Sequence, residues 1–386
     1  MDEPKYSTLL AALTAVPDPR QARGKQLSWS LILTLIAGAL AGNARSGHAI
    51  ARCLHDRAAE LLLLLQPERG RLPSESTLRR ALRAIDVSSL ELYLAQFAQP
   101  ITTTAPADPA LVVLLGQAID GKQLRGVRTH GVGVHLVSLV RHRDAIVLGQ
   151  VAVAAKSNEI AAVPRLLAGR DLSGTLTTMD ALLTQQAILR QIRDQHGDYL
   201  AVVKANQPEL LQAIERLFAE PPLPADQEEW QRDQTVSKGH GRLEIRTLEC
   251  SEVLADYLSE VWPDVRQVMR RTCVRQVIKN GTTTTTVRYG ITSLPPSVAG
   301  PSELERLWRG RRTIENCVHY VRDVTMGEDG GQAYRANTPQ ALAALRNGVL
   351  NLLRRRGWKN MAEAFGHYAA SLPQTLELIG ARPARL

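Results

Sequence analysis

Three carboxylates in this 386-residue chain have the type and setting that metal-assisted phosphate chemistry needs: Asp120, Asp180 and Glu315. The apolar run 111–119 drives straight into Asp120, and the run GTLTTMDA carries a second strand pattern to Asp180. Strand ends along one edge of an α/β sheet are where ligands gather. Glu315 lies in WRGRRTIENCVHYVR, a helical pattern amid arginines. Arg311 comes one turn before it and Arg322 two turns after, so all three are expected on one helix face. Three such acids can cage two Mg²⁺ ions about 4 Å apart, one activating the nucleophile and the other the leaving oxygen of a phosphodiester. Mg²⁺ suits this role because it takes oxygen ligands and keeps water and phosphate in its shell, and Mn²⁺ is the expected substitute. A plainer reading competes at Glu315: an ordinary helical ion pair with Arg311, worth a few tenths of a kcal/mol.

The cations beside these acids carry the same double reading. Lys122 and Arg125 follow Asp120 in what reads as one basic loop, which would position a phosphate or else close a local salt bridge. Lys204 and Asn206 follow a further strand, as DNA contacts or as a polar loop. His240 and Arg242 share that ambiguity. Trp230 and Trp262 could stack an unpaired base, but core packing is the better account of both. The 47 Lys plus Arg exceed the 38 Asp plus Glu by 9, a surplus that favours polyanions, most simply nucleic acid.

The elements that must hold these residues fall into regions. Residues 1–100 have helical periodicity throughout, with Leu9, Leu10 and Leu13 on one stripe and Leu31, Leu35 and Leu40 in a nearly all-apolar second helix. After Pro73, Ser74 and Ser76 are candidate N-caps for a short helix with Leu78, Leu82 and Ile85 inward and Arg79, Arg80 and Arg83 outward. That is the outline of a helix-turn-helix recognition helix, and equally of a solvated basic face. Residues 101–110 read as a linker. Residues 111–220 read as a three-strand meander followed by alternating helices and strands, hence a mixed α/β sheet covered by helices. Residues 221–300 are β-rich, with Asn280-Gly281 marking a hairpin. Residues 301–386 return to helix, opening on a Ser302–Glu305 capping box and running through about Arg322, with a last helix over 339–356.

Apolar residues at 44% and charged residues at 22% fit a folded chain and argue against wholesale disorder. The four cysteines, Cys53, Cys250, Cys273 and Cys317, have neither disulfide-framework nor zinc spacing. The start, acidic and polar, is not that of a secretory leader, and the run 31–41 is too short to cross a bilayer. The expectation is a cytoplasmic protein without a membrane association.

With these stretches in view, the chain resembles the DDE transposases of bacterial insertion sequences, in the branch that includes the H-repeat-associated proteins of Rhs elements. The resemblance runs over nearly the whole length through VPDPR, GHAIA, AIDGKQLRG, HLVSLV, VLGQVAVAAKSNEI, TMDALLTQ, GDYLAVVKANQ, GHGRLEIR, YGITSL, IENCVHYVRDVTMGEDGGQAYR and LRNGVLNLL, in fixed order. It implies a ribonuclease H-like mixed sheet with flanking helices, a β-rich insertion before the glutamate helix, and an all-helical N-terminal DNA-binding domain. Asp120, Asp180 and Glu315 would be the catalytic, metal-binding acids, with two ions per site. The wider pattern around the glutamate has tyrosine, arginine and lysine where this chain has Trp308, Arg311 and Arg322. Where the branch commonly shows His-Trp, this chain has Arg311-Arg312.

The expected function is a DNA transposase that binds terminal inverted repeats, cuts at the element ends and joins the freed 3′-hydroxyls to target DNA. Its partner is double-stranded DNA, both element ends and target, and synapsis of two ends implies a homodimer. Asp120, Asp180 and Glu315 would hold the metal, while Lys122, Arg125, Lys204, Asn206, Arg311, Arg322, Arg79 and Arg80 would contact DNA. Three competitors stand beside this: a domesticated recombinase or nuclease without strand transfer, a non-catalytic DNA-binding regulator, and a metal phosphohydrolase for small molecules. The regulator predicts a broken triad, and the phosphohydrolase leaves the basic N-terminal region unexplained.

Overall fold

A computed structural model describes residues 6–99, 114–125, 133–154, 158–220, 229–331 and 335–381; the expected linker over 101–110 lies outside them. The chain divides into two compact units: residues 1–105, 121–158 and 313–386 form one, and residues 106–120 and 159–312 the other. Among the described residues the nine strands follow the order β3-β2-β1-β4-β5-β9-β8-β7-β6. β1 (Leu115–Leu124) contributes residues to both units. No helix of the described residues is long and apolar enough to cross a membrane.

The first unit is mainly helical. Its N-terminal part comprises α1 (Leu9–Thr14), α2 (Trp29–Ala41), α3 (Gly47–Asp56), α4 (Ala58–Leu65), α5 (Glu75–Ala84) and α6 (Val87–Ala98). α12 (Thr338–Arg355), α13 (Met361–Ala370) and α14 (Leu372–Ile379) follow at the other end of the chain. Every side chain from Ile32 to Ala41 in α2 is buried, as an all-round apolar helix must be. Its neighbours include Leu9, Leu82, Leu345, Phe365 and Ile379, so the N-terminal and C-terminal helices share one hydrophobic core. The first hundred residues therefore do not close a core by themselves. Ser74 caps α5, accepting from the Thr77 amide at 3.3 Å, and Leu78 and Leu82 turn inward as the spacing requires. A hairpin, β2 (Val134–Arg141) with β3 (Val147–Ala152), completes the unit. Asn351 of α12 satisfies the end of β3: its Oδ1 accepts from the Val147 amide at 2.8 Å and its Nδ2 donates to the Val147 carbonyl at 2.9 Å.

The second unit is a mixed sheet. β1, β4 (Thr175–Met179) and β5 (Asp198–Val203) run parallel, linked through α7 (Glu159–Leu167) and α8 (Gln186–Asp194), the βαβ pattern of alternating runs. α9 (Pro208–Ala219) follows, and then the β-rich stretch: β6 (Trp230–Gly239), β7 (Arg242–Ser251), the short α10 (Ala255–Ser259), β8 (Gln267–Val277) and β9 (Thr283–Thr292). This stretch, expected as an insertion, extends the same sheet, because β9 pairs antiparallel with β5 from Leu200↔Thr292 to Val203↔Tyr289. The Asn280-Gly281 hairpin forms, with Gly281 at φ 69° and Asn280 Oδ1 accepting from the Thr282 amide. A second tight turn falls at His240-Gly241, both at positive φ, as a two-residue hairpin turn demands.

α11 (Pro301–Gly310) closes the unit over the sheet. The expected capping box is absent: Gly300 is the N-cap and no side chain caps it. Glu305 is instead buried against Arg271 of β8, which donates to its two oxygens at 2.6 and 2.7 Å. Trp308 lies against Gly290 of β9, where a Cβ would come within 2.7 Å of the indole ring. Glycine at 290 thus permits the large ring that this chain carries at 308. Trp262 and Trp230 pack as expected, Trp262 buried and Trp230 edge-on to Phe218 at 4.9 Å.

Candidate active site

The second unit brings the two aspartates into register. β1 and β4 pair in parallel from Leu115↔Thr175 to Ala118↔Thr178. Side chains reinforce that register: Gln117 Nε2 donates to Thr177 Oγ1 at 2.9 Å, and Thr178 Oγ1 donates to the Gln117 carbonyl at 3.0 Å. The last pair is Ala118↔Thr178 and β4 ends at Met179; extended two residues further, the same register would set Asp120 across from Asp180, with neighbouring strands about 4.8 Å apart. Both carboxylates are half-buried. Oxygen donors on adjacent backbones in this setting fit a hard divalent cation.

The turn after Asp180 is tightly held. Asp180 Oδ1 accepts from the Leu183 amide at 3.1 Å. The Thr184 hydroxyl is within hydrogen-bond distance of the Asp180 and Val202 carbonyl oxygens, at 3.0 and 2.7 Å. Asn206 donates through Nδ2 to the Ala181 carbonyl at 2.7 Å, and Gln207 through Nε2 to that of Thr184 at 2.9 Å. Asn206, expected to touch DNA, thus braces the residue next to Asp180. Lys204 is exposed at the end of β5.

β1 does not stop at Asp120 but continues to Leu124, so Lys122 is a strand residue and not part of a loop. In the first unit its side chain is 7% exposed and pairs with Asp323. The salt bridge weighed for the basic loop exists, but its acid is two hundred positions away. Burial lifts the Asp323 carboxyl above its ordinary range, Lys122 pulls it down, and Asp329 and Glu328 add to the rise. Arg125 is exposed, its amide donating to Asp329 Oδ1 at 3.2 Å.

Glu315, also in the first unit, is exposed. Its segment is not the regular α-helix expected. Residues Ile314–His319 and Val321–Thr325 form π-helical turns, with the Tyr320 amide bonded to the Glu315 carbonyl and the Met326 amide to that of Val321 at 2.9 Å. Wider turns break the i, i+3, i+4 arithmetic, and the one-face expectation for Glu315 and Arg322 is corrected accordingly. Arg322 is fully buried: it meets Glu328 Oε2 at 2.9 Å through Nε and 2.7 Å through Nη2, and its Nη1 reaches Gln150 at 3.2 Å. Arg346 donates to the other Glu328 oxygen at 3.0 Å. Arg322 therefore sits in a buried ion network and not where a phosphate reaches it. Burial drives the His319 pKa down to about 3, with Arg322 and Lys122 adding to the fall, so this ring is neutral near pH 7. A cavity of about 1120 Å³ runs beside the segment, lined by Asn316 and Tyr320 with Arg45, Arg143 and Lys359.

Among the described residues no group of three or more His, Cys, Asp or Glu side chains is close enough to hold a metal ion. Asp120 lies on β1 and Asp180 directly after β4, two paired parallel strands, within one unit. Sequence reasoning missed Asp323 and Glu328, the partners of the two cations it had assigned to phosphate; both are acids in the run DVTMGED, seen there only as part of a family pattern. On α5, Arg79 and Arg80 are exposed, Arg79 paired with Glu75. Arg80 lines a cavity of about 590 Å³ together with Arg20, Arg23 and Arg71.

The family model described as "Transposase DDE domain" matches residues 103–352, which hold all three acids, and the model described as "DDE_Tnp_1-associated" matches residues 10–98. "Putative transposase YncI" of Escherichia coli O157:H7 is 30% identical over 353 residues, covering 90% of this chain and 87% of that protein. "H repeat-associated putative transposase YhhI" of Escherichia coli strain K12 is 32% identical over 245 residues, 61% of this chain and 63% of its own. The chain belongs to the DDE transposase family.

Proposed function

We propose that the chain is a DNA transposase that binds the inverted repeats at the ends of its element, cleaves there and transfers the ends to target DNA. The observation that carries this reading is the parallel β1–β4 pairing, whose register, extended past Ala118↔Thr178, would set Asp120 across from Asp180, inside the span matching the transposase domain. The order β3-β2-β1-β4-β5, with the aspartates on the central parallel strands, supports reading this part of the sheet as ribonuclease H-like. Asp120 and Asp180 would hold divalent cations, Mg²⁺ or Mn²⁺, with Glu315 as the third acid. When bound, such ions stabilise charge on the attacking and leaving oxygens of a phosphodiester.

In the first step water adds to phosphorus at the element end and the 3′-oxygen leaves with a proton, giving a 3′-hydroxyl and a 5′-phosphate. In the second, that hydroxyl attacks a target phosphodiester, one P–O bond forming as another breaks, with no covalent intermediate on the enzyme. The chain's part is to position Asp120 and Asp180: Gln117 and Thr178 reinforce the pairing of their strands, Thr184 and Asn206 brace the backbone of the turn after Asp180, and the Leu183 amide donates to the Asp180 carboxylate. The 47 basic residues supply the field for DNA, and synapsis of two ends calls for two copies of the chain.

The test is strand transfer by the purified full chain. Labelled duplex carrying the DNA that flanks the coding region is mixed with unlabelled plasmid and Mg²⁺. Label joined covalently to plasmid is the expected result; cut ends that never join would leave a nuclease. A second expectation concerns α5. Changing Arg79 and Arg80 together to Ala weakens duplex binding about tenfold or more, two phosphate contacts being removed, and leaves the circular dichroism spectrum unchanged. Unaltered affinity at 0.15 M salt would make that helix a scaffold only.

A further inference from the structure

The cavity of about 1120 Å³ in the first unit is walled by the turn between β2 and β3, by the segment that carries Glu315, and by the connection from α12 to α13. Three exposed cations line it from separate places: Arg45 before α3, Arg143 in the β2–β3 turn and Lys359 before α13. Of the described residues lining it, Asp144 is the one acid, and the fork of Arg141 takes its two oxygens at 2.9 and 2.7 Å. A fourth cation, Arg354 of α12, is half-buried in the wall. Among the described residues its donors meet the carbonyl oxygens of Ala145 and Cys317, not a carboxylate. Burial pulls its pKa down to about 10, with Cys317 and Asp144 acting the other way. A guanidinium withdrawn from water and bonded to neutral carbonyls is a charge still short of its counter-ion.

Beside these cations the cavity shows apolar surface that a solvated basic face does not need. Asn316, Tyr320 and Val324 recur at every fourth position along the π-turn segment and line one wall. Tyr320 is 58% exposed and Val324 55%. Trp358 lines the cavity as well, held by ring contacts to His367 at 5.3 Å and to Tyr368 at 6.1 Å. Single surface leucines are ordinary, but an exposed ring inside a cation-lined hollow points to a ligand. π turns occur in proteins mostly at functional sites, and here they set the spacing of that wall. The volume suffices for a nucleotide, since pockets for small molecules run to ~300–1,000 Å³. Cations without carboxylates call for an anion, and the ring calls for a planar group to lie on it. A phosphate joined to a nucleobase supplies both.

We propose that this cavity binds an unpaired nucleotide, its phosphate held by Arg143 and Lys359 with Arg45, and its base lying on the Tyr320 ring. Aromatic rings beside a basic groove are how proteins hold nucleotides that are not base-paired. Arg143 offers a planar fork that matches two phosphate oxygens at once, and Lys359 a compact point charge. An acidic peptide would satisfy the cations but would leave Tyr320 and Val324 without a planar partner, so the nucleotide is favoured. Asn316 follows Glu315 directly, so a nucleotide bound here lies against the segment that carries the proposed third acid. The site stands on this geometry, and only a DNA strand as the source of the nucleotide rests on the proposed function.

The test uses the full chain and three probes: an oligothymidylate of about eight nucleotides, thymidine monophosphate, and a short polyglutamate peptide. Cys317 lines the cavity, and Cys53, also half-buried, lies outside it, so their rates of alkylation by iodoacetamide report binding at this place. The oligonucleotide should slow Cys317 several-fold and leave Cys53 unchanged. Arg143→Gln with Lys359→Gln should weaken its binding about tenfold or more, with a salt slope shallower by about 1.4, at roughly 0.7 per phosphate of a single strand. Tyr320→Ala should weaken it about fivefold or more, a stacked base being lost. Tyr257→Ala, at an exposed tyrosine of the second unit, should behave as wild type. Melting temperatures close to wild type are expected throughout, because every substituted side chain is exposed. Wild-type affinity in the double variant, or a Cys317 rate that no probe changes, would overturn the site. Wild-type affinity in Tyr320→Ala, or equal protection by polyglutamate, would overturn the nucleotide as its ligand. Protection by the monophosphate equal to that by the strand would support the site and make a free nucleotide its source. Protection at Cys317 without strand transfer would keep this site while the proposed function fails.

Discussion

Asp120→Asn, Asp180→Asn and Glu315→Gln should each cut Mg²⁺-dependent end cleavage by on the order of a thousandfold or more while leaving duplex affinity within about twofold. A thousandfold corresponds to about 4 kcal/mol of barrier at 1.36 kcal/mol per decade. That is the scale on which metal ions and comparable fixed charges stabilise a reacting phosphodiester. The amides are isosteric, so the fold has little reason to change. At Asp180 the point is specific: the side-chain oxygen accepts from the Leu183 amide, and an asparagine carbonyl can do the same. What the amide cannot do is supply the negative charge that a divalent ion requires. The measurement is single-turnover cleavage of labelled duplex, paired with calorimetric titration of Mn²⁺ into the free protein. If Asp120→Asn and Asp180→Asn lose cleavage and Mn²⁺ heat together, the pair set by the β1–β4 register holds the ions. Cleavage at wild-type rate in either one would remove that aspartate from the site.

The aspartates were legible because two local signals coincide at each of them: an apolar run of strand length, and small or polar residues after the acid. The register that opposes them was not legible, because it depends on which strands pair and on bonds such as Gln117 to Thr177, sixty positions apart. Where reading by local pattern failed, a distant partner had won. Lys122 looked like a loop cation because its acid, Asp323, lies two hundred residues on, and an ion pair that buries the lysine lets β1 continue past Asp120. Ser302 and Glu305 spell a capping box, yet Glu305 is worth more to the fold as the buried partner of Arg271. The helix through Glu315 has ordinary helix formers, and nothing in their spacing announces π turns, so the face on which Arg322 falls was misplaced. The Asn280-Gly281 turn was plain and His240-Gly241 was not, since histidine tolerates positive φ without advertising it.

The largest stability effect is expected at Arg322, where the two readings of that residue part company. Its guanidinium joins Glu328, Gln150 and Asn347 in the interior of the first unit, with Arg346 on the far side of the same carboxylate. Burial pushes the Glu328 pKa up, and the charges of Arg322 and Arg346 more than reverse this, holding the carboxyl below its ordinary value. Truncating Arg322 leaves a buried carboxylate half-compensated and the Asn347 amide oxygen without its donor, while Gln150 Oε1 keeps the Asn347 Nδ2 donor at 2.9 Å. Arg322→Ala should therefore cost about 3–5 kcal/mol in urea unfolding. Arg322→Lys keeps the charge but not the fork, and is expected to lose more than about 1 kcal/mol. A carboxyl depressed in the folded state contributes stability that is present above its unfolded pKa, about 4.3, and is lost as pH falls through its folded value. The wild type should accordingly lose stability below about pH 4.3, and Arg322→Ala should lose less there, because its Glu328 is no longer held down as far. A phosphate-holding arginine predicts the opposite pattern: unfolding within about 0.5 kcal/mol of wild type in both variants, as for exposed substitutions generally, with duplex affinity falling instead. Unfolding curves of the two variants at pH 7 and pH 4, beside one binding isotherm each, decide whether Arg322 serves the interior or the DNA.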